Sequence, residues 1–214
     1  MHIIQSKKPI HCLYCQKEIA SNSSLVHYLV NDDGLCEECR KQLAYCPCKI
    51  KIQDIEVKSF YQYNEMMKGL ILQYKECYDE ALKDIFFAEL KDKIHFKYHD
   101  YKVVLVPSSK TNLKRRGFNH LALMCQSLRL PIADILEKRN DISQNNLNYA
   151  ERFKMIENIQ IKQNATVPEK ILLIDDLLTT GSSIYGAYKA LKPYSEKIVS
   201  ITLSYVNQVV HSKI

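Results

Sequence analysis

The segment 170–183 constrains the fold more than any other part of the chain. It begins with the apolar run KILLI, continues with the acidic pair Asp175-Asp176 and ends in the small-residue turn TTGSS. An uninterrupted apolar run of this length predicts a strand that is buried on both faces, as in parallel sheets. Helical spacing follows from about Ser182 to Leu191. The segment therefore predicts a strand–turn–helix unit of an α/β sheet.

The rest of the chain repeats this alternation. Runs rich in apolar, β-branched and aromatic residues predict strands over 57–63, 101–106 and 197–206. Apolar residues at three- and four-residue steps predict helices over 65–94, with a break around Cys77, and over 117–130. The order of these elements predicts an α/β fold with a mainly parallel sheet flanked by helices.

Composition and charge narrow the class of protein. Hydrophobic residues make up 46% and charged residues 25% of the 214 residues, which is the globular range. No apolar stretch approaches the roughly 20 residues that cross a bilayer, and the first residues lack the apolar core of a secretory signal. We expect a cytoplasmic protein without membrane insertion. The net charge of +6 favours encounters with polyanions without specifying one.

Six of the eight cysteines lie before residue 50. Two CxxC pairs, Cys12 with Cys15 and Cys36 with Cys39, have the spacing of a structural zinc site, in which four thiolates surround Zn²⁺. Reduced surface thiols or a redox pair are the alternatives. The roles of Cys46 and Cys48 stay open. We expect two domains, a zinc-binding module over 1–55 and an α/β domain over 56–214, because so short a segment needs a metal to fold.

The turn after the acidic pair has the composition of an anion site. It offers four hydroxyl groups, a glycine that allows close backbone approach and the first N–H groups of a helix. Neighbouring side chains of a strand point to opposite faces, so the two acids have different tasks. A capped helix without a ligand is the alternative interpretation. The turn consists of Thr179, Thr180, Gly181, Ser182 and Ser183.

The sequence LLIDDLLTTGSS resembles the phosphoribosyl diphosphate (PRPP) motif of the type I phosphoribosyltransferases. The resemblance implies that Asp175 and Asp176, the candidate catalytic residues, face the ribose 2- and 3-hydroxyls. It further implies that residues 179–183 wrap the 5-phosphate and that PRPP binds together with Mg²⁺. Residues 140–168 are polar and lack periodicity, and we expect a long loop or flap there.

A basic segment follows the strand predicted over 101–106. We expect it to form a loop in which Lys110 contacts the pyrophosphate of PRPP, while Lys114, Arg115 and Arg116 contact a DNA backbone and Phe118 stacks on a base. A solvated charged face is the alternative.

Taken together, the two CxxC pairs, the segment RRGFNH, the flap residues Gln144, Leu147 and Arg152 and the PRPP motif resemble the ComF family of late competence proteins over nearly the whole chain. The chain departs from the family pattern at His120, among other positions, where Gln is frequent. The resemblance implies a zinc module fused to a type I phosphoribosyltransferase-like domain and a role in natural transformation. It also implies that the protein handles single-stranded DNA in the cytoplasm with a helicase-like partner, ComFA, which can recruit it to the inner face of the membrane.

Two other functions remain open. A metabolic phosphoribosyltransferase would join a nitrogenous base to the anomeric carbon of PRPP and release pyrophosphate. A scaffold protein would bind no PRPP at all.

Overall fold

The computed structural model describes residues 11–19, 33–139 and 158–207. The strands within these ranges are β1 Tyr45–Ile52, β2 Ile55–Gln62, β3 Lys102–Leu105, β4 Leu136–Lys138, β5 Ile159–Ile161, β6 Lys170–Leu178 and β7 Lys197–Tyr205. The α-helices are α1 Glu37–Lys41, α2 Glu65–Glu76, α3 Lys91–Lys97, α4 Lys110–Arg116, α5 His120–Cys125 and α6 Ser182–Leu191. Short 3₁₀ turns cover Glu80–Asp84, Gln126–Leu128 and Lys192–Tyr194.

Five strands form the main sheet in the order β1-β2-β7-β6-β3. The pairs β2–β7, β7–β6 and β6–β3 are parallel, and only the hairpin of β1 and β2 is antiparallel. Strands β4 and β5 form a separate antiparallel pair. The predicted α/β fold with a mainly parallel sheet is therefore confirmed.

Both faces of β6 are covered, which explains its uninterrupted apolar sequence. Leu172 and Ile174 belong to a core shared with α2, whereas Ile171 and Leu173 belong to a core shared with α6. A strand that alternates between two buried faces needs apolar residues at every position. The acidic pair comes directly after this apolar run and still lies within β6.

The basic segment is a helix, not the loop that we expected. Ser109 precedes α4, and its side chain accepts a hydrogen bond from the Asn112 N–H. Gly117 ends the helix with a left-handed φ of 77°. A serine before the first turn and a glycine after the last are ordinary helix-end signals, and here they outweigh the repulsion among the neighbouring cations.

The main sheet begins earlier in the sequence than the predicted domain boundary at residues 55 and 56. Strand β1 lies within the segment assigned to the zinc module, yet it pairs with β2 and forms the edge of the main sheet. Cys46 and Cys48 belong to this strand, at a register irregularity between Tyr45 and Cys48. The division into two domains stays a prediction.

The predicted break in the first helical stretch is confirmed, because α2 ends at Glu76 and a 3₁₀ turn follows. Most of the expected flap falls outside the described residues, including Gln144, Leu147 and Arg152. Its end forms β5. Every helix in the described ranges is too short or too polar to cross a membrane.

Candidate functional site

The four cysteines of the two CxxC pairs lie together. The Sγ atoms of Cys12, Cys15, Cys36 and Cys39 all lie within 4.8 Å of one another. The Sγ atoms of Cys15 and Cys36 are 3.7 Å apart. Four thiolates that each bind Zn²⁺ at about 2.3 Å form a tetrahedron with edges of about 3.8 Å. The four-cysteine cluster therefore fits a zinc ion, and its closed set of four thiolates suits a structural site.

Backbone hydrogen bonds build the cluster. The Leu13 N–H donates to the Gly34 carbonyl at 2.9 Å, which joins the two cysteine segments. The Cys36 N–H points at the Cys12 Sγ atom at 3.4 Å. Burial raises the pKa of the Cys12 thiol, but backbone N–H groups of Cys15, Cys36 and Tyr14 outweigh it and lower that pKa to about 7. Cys12 thus favours the thiolate, the form that binds metal, whereas burial raises the pKa of the Cys36 and Cys39 thiols.

The four-cysteine cluster is docked on helix α2. Tyr14, between the first two cysteines, packs on the backbone of Gly69, where an added Cβ would lie 3.0 Å from two carbons of the tyrosine ring. The Gln73 side chain donates to the Leu13 carbonyl at 3.0 Å. Glycine at this position of α2 therefore makes room for the aromatic residue of the cluster.

The acidic pair at the end of β6 divides between two environments. Asp175 is half-buried, and its Oδ1 accepts a hydrogen bond from the Asp176 N–H at 2.9 Å. Asp176 is buried and contacts Lys75 of α2, and its Oδ2 lies 3.5 Å from His120 Nε2. Alternation along the strand thus places the two side chains in different environments.

These environments move the two carboxyl pKa values apart. For Asp176, burial raises the pKa, but Lys75 and His120 outweigh burial and hold the pKa well below its ordinary value. For Asp175, burial and the neighbouring charge of Asp176 both raise the pKa. Asp176 is therefore the carboxylate that stays ionised, and its charge is already balanced by Lys75.

The hydroxyl-rich turn follows directly. Thr179 and Thr180 are exposed. The hydroxyl oxygens of Thr180 and Ser182 are 3.0 Å apart, and the Ser182 N–H points at Thr180 Oγ1 at 3.4 Å. Helix α6 begins at Ser182, so the first-turn N–H groups, which have no partner within the helix, face the same turn. Hydroxyl groups and helix N–H groups are the donors that bind phosphate in proteins, so the turn has the donor types of a phosphate site.

Gly181 gives this turn its shape. Its φ is 79°, in the left-handed region that favours glycine, and an added Cβ would lie 2.7 Å from the Cγ2 atom of Ile52 at the end of β1. Ile52 of the edge strand β1 therefore leaves no room for a Cβ atom at position 181.

The predicted DNA-contacting residues differ in accessibility. Lys114 and Arg115 are exposed, but Arg115 pairs with Glu76 at 2.7 Å. The Arg116 side chain is buried and also pairs with Glu76, at 3.1 Å. The Phe118 ring is half-buried, 5.6 Å from the ring of Tyr74. Lys110 is exposed at the first position of α4.

Sequence reasoning missed the groups that pair with Asp176 and with the arginines of α4. Lys75 and Glu76 come from the last turn of α2, and His120 comes from α5. The Arg116 guanidinium lies 3.4 Å from His120 Nδ1 and so connects the basic helix to the acidic pair. The one signal for any of them was the departure from the ComF pattern at His120.

Comparison with known proteins gives two curated relatives. The chain is 30% identical over 212 residues to a Competence protein ComFC of Streptococcus pneumoniae (strain ATCC BAA-255 / R6), covering 88% of this chain and 96% of the relative. It is 27% identical over 224 residues to a Competence protein ComFC of Bacillus subtilis (strain 168), covering 90% and 93%. No family model matches the chain.

Similar solved structures include phosphoribosyltransferases. One is adenine phosphoribosyltransferase from Saccharomyces cerevisiae, with a TM-score of 0.43, 10% identity and coverage of 81% of this chain and 91% of that chain. Another is orotate phosphoribosyltransferase from Aeropyrum pernix, with a TM-score of 0.36, 11% identity and coverage of 81% and 93%.

Proposed function

Because this chain belongs to the ComFC family of competence proteins, we propose that it serves natural transformation by handling incoming single-stranded DNA and by binding PRPP. The PRPP site lies at the carboxyl end of β6, where ligands of open α/β sheets bind. Zn²⁺ in the four-cysteine cluster holds the N-terminal segment in its fold. The protein acts in the cytoplasm together with a helicase-like partner, ComFA.

The observation that carries the PRPP proposal is the turn Thr179 to Ser183 beside Asp175. The turn combines hydroxyl groups, the left-handed Gly181 and the start of a ten-residue helix, which together suit a 5-phosphate. The half-buried Asp175 carboxylate follows the apolar part of the same strand, so a sugar bound there can place its hydroxyls against an acceptor. The turn supplies hydrogen-bond donors for a phosphate, and the neighbouring carboxylate can accept from hydroxyls. This combination matches a phosphorylated sugar.

The two acids share the ribose side of this site unequally. Asp175 accepts from a ribose hydroxyl directly, because its side chain is partly accessible. Asp176 reaches the ribose only when its ion pair with Lys75 opens, and otherwise it fixes the position of α2. Mg²⁺ prefers oxygen ligands and substrate phosphates, so it binds with the diphosphate, and Lys110 adds positive charge there. When bound, Mg²⁺ neutralises part of the diphosphate charge.

The basic segment contributes to the DNA-handling role. Lys114 and Arg115 are both exposed, so both can reach a phosphate backbone. Arg116 and Phe118 anchor this segment to α2. Arg116 pairs with Glu76, and the Phe118 ring contacts the Tyr74 ring.

The experiment measures PRPP affinity and transformation frequency on the same variants. We expect Asp175→Ala/Asp176→Ala to lower the affinity for Mg²⁺–PRPP by about tenfold to a hundredfold, the value of one or two charged hydrogen bonds, and to lower transformation in parallel. Because Asp176 is buried, replacing it can also disturb the fold. Thr179→Ala/Thr180→Ala therefore serves as a second variant, in which only exposed hydroxyl groups are removed. Bound zinc, one ion per chain as in the wild type, is the folding control.

The outcomes separate the three functions. Parallel loss of affinity and transformation supports the proposal. Release of pyrophosphate on addition of a nitrogenous base would instead indicate a metabolic phosphoribosyltransferase. A wild type that binds no PRPP, together with normal transformation by Asp175→Ala/Asp176→Ala, would indicate a scaffold.

A further inference from the structure

Helix α3 and the hairpin of β1 and β2 present a cluster of lysines that the PRPP site does not use. We name this cluster, with its neighbouring aromatic residue, the lysine surface. It consists of Lys49, Lys58, Lys93, Phe96 and Lys97.

The lysines of this surface lie close together. Lys49 and Lys58 are cross-strand partners in the hairpin. Burial lowers the pKa of the Lys58 ammonium, and the positive charges of Lys97, Lys49 and Lys93 lower it further. Lys49 of the hairpin and Lys93 and Lys97 of α3 therefore all lie near enough to the Lys58 ammonium to affect its charge.

Little negative charge offsets this cluster. Lys49 pairs with Glu56 at 2.8 Å. Among the described residues, no carboxylate lies within ion-pair distance of Lys58, Lys93 or Lys97. The nearest acids along the chain are engaged elsewhere, Asp92 with Arg129 and Asp100 with Lys170, both at 2.6 Å. The surface therefore carries uncompensated positive charge.

Phe96 adds an exposed aromatic ring to the same face. Its side chain is 74% exposed, the largest exposed fraction among the large hydrophobic residues of the described ranges. Positions 93, 96 and 97 are three and four residues apart, which places the three side chains on one face of α3. The Phe96 ring meets the His95 ring edge-to-face at 5.7 Å. The Phe96 ring is therefore accessible on the face of α3 that carries Lys93 and Lys97.

We infer that the lysine surface binds single-stranded nucleic acid, with the lysines on successive phosphates and Phe96 stacked on an unpaired base. A positive track with an aromatic platform is the recognition chemistry of single strands. Double-stranded nucleic acid offers phosphates but no free base for Phe96. This inference rests on the proposed DNA handling and assigns a surface to it that is separate from the basic segment.

The location of the surface keeps DNA and PRPP apart. Helix α3 ends at Lys97, shortly before the amino-terminal end of β3. The PRPP turn follows the carboxyl-terminal end of β6, which runs parallel to β3. The α3 part of the lysine surface and the PRPP turn therefore lie toward opposite ends of β3 and β6, so the α3 residues can be changed without altering the turn.

The test is the binding of a fluorescein-labelled oligothymidylate to the zinc-loaded full chain, followed by anisotropy between about 50 and about 200 mM salt. We expect Lys58→Gln/Lys93→Gln/Lys97→Gln to weaken binding at least about tenfold. Each single-strand phosphate contact contributes about 0.7 to the salt slope, so the variant should lose about 2 from that slope. Phe96→Ala should weaken binding about fivefold to a hundredfold, and Phe96→Tyr should retain it.

A charge-matched control is Lys17→Gln/Lys68→Gln/Lys189→Gln, which removes three exposed lysines elsewhere and should lower affinity only slightly. Equal binding by both triple variants would overturn the lysine surface. Loss of binding only in Lys114→Gln/Arg115→Gln would place the DNA on the basic segment instead. Loss of binding to anionic phospholipid vesicles, with unchanged oligothymidylate binding, would assign the surface to a membrane.

Failure of the proposed function gives a different result. A wild-type chain that binds Mg²⁺–PRPP but no oligothymidylate would contradict DNA handling as a whole, and the lysine surface with it. A wild-type chain that binds oligothymidylate through the lysine surface but no PRPP would contradict the PRPP site alone.

Discussion

Lys75 of α2 binds the Asp176 carboxylate of β6 inside the protein, where the two side chains are 17% and 9% exposed. The same helix carries Gly69 and Gln73, which hold the four-cysteine cluster. Helix α2 therefore joins the four-cysteine cluster on one side to the acidic pair on the other. The position of Asp176 in the proposed PRPP site therefore depends on its contact with Lys75, although α2 and β6 lie far apart in the sequence.

Replacing Lys75 should destabilise the fold strongly. Lys75→Met leaves the buried Asp176 charge without its partner, which costs about 3 to 5 kcal/mol in the free energy of unfolding. Lys68→Met is the matched control on the same helix, because Lys68 is 49% exposed, and it should cost no more than about 0.5 kcal/mol. Urea unfolding measures both. The double variant Lys75→Met/Asp176→Asn should recover part of the loss, and equal effects of the two single variants would contradict the ion pair.

His120 should make stability depend on pH. Burial lowers the pKa of His120 below its ordinary value of 6.5, and the charges of Lys75 and Arg116 lower it further against the opposing effect of Asp176. Below about pH 6.5 the unfolded chain takes up a proton that the folded chain does not, so the stability contribution is present above this pH and is lost as pH falls. Between about pH 7.5 and about pH 5.5 the loss reaches up to about 1.4 kcal/mol.

The measurement compares urea unfolding of the wild type and His120→Gln at both pH values. Protonation of the cysteines affects both proteins alike and cancels in the difference. We expect the wild type to lose more stability than the variant at low pH. A wild type that gains stability relative to His120→Gln would show that Asp176 dominates and that the folded pKa is raised.

Alanine substitutions at Gly181 and Gly117 distinguish the cost of backbone strain from the cost of a steric contact. Both have a left-handed φ, 79° and 77°, but an added Cβ at Gly117 meets nothing within 4 Å. Gly117→Ala should therefore cost about 1 to 2 kcal/mol from the backbone alone. Gly181→Ala should cost more, because the new Cβ meets Ile52, and it should also weaken PRPP binding. If Ile52→Ala fails to rescue Gly181→Ala even partly, in stability or affinity, the contact is not the cause.

Gly69 should control the docking of the four-cysteine cluster. Alanine in place of glycine within a helix usually stabilises by about 1 kcal/mol. Here Gly69→Ala should destabilise and speed zinc transfer to a chromogenic chelator, because the Cβ displaces Tyr14. In a Tyr14→Ala background the same change should stabilise. Stabilisation in both backgrounds would show that Tyr14 does not pack on α2 in solution.

The sequence was sufficient where one local pattern determines the structure. Strand β6, helix α6 and the four-cysteine cluster follow from an apolar run, a small-residue turn and paired spacings. The helix Lys110–Arg116 was missed although Ser109 and Gly117 mark its ends, because its charge favoured the interpretation as a loop. Strand β1 was missed because its sequence YCPCKIKI contains proline and cysteine, and its position depends on pairing with β2.

The partners of Asp176 could not be predicted in the same way. Lys75 and His120 come from different helices, and only packing brings their side chains to the carboxylate. No spacing along the chain encodes such a contact. The lysine surface is a similar case, because its members come from β1, β2 and α3 and no sequence spacing links the lysines of the hairpin to those of the helix.

The measurement that tests the central claim most directly is calorimetric titration of Mg²⁺–PRPP into the zinc-loaded wild-type chain. We predict saturable heat with one PRPP per chain, and heat that is greatly reduced for Thr179→Ala/Thr180→Ala at the same zinc content. Absence of heat from a folded wild-type sample with a full complement of zinc would contradict the proposed phosphate site and the role in PRPP binding that depends on it.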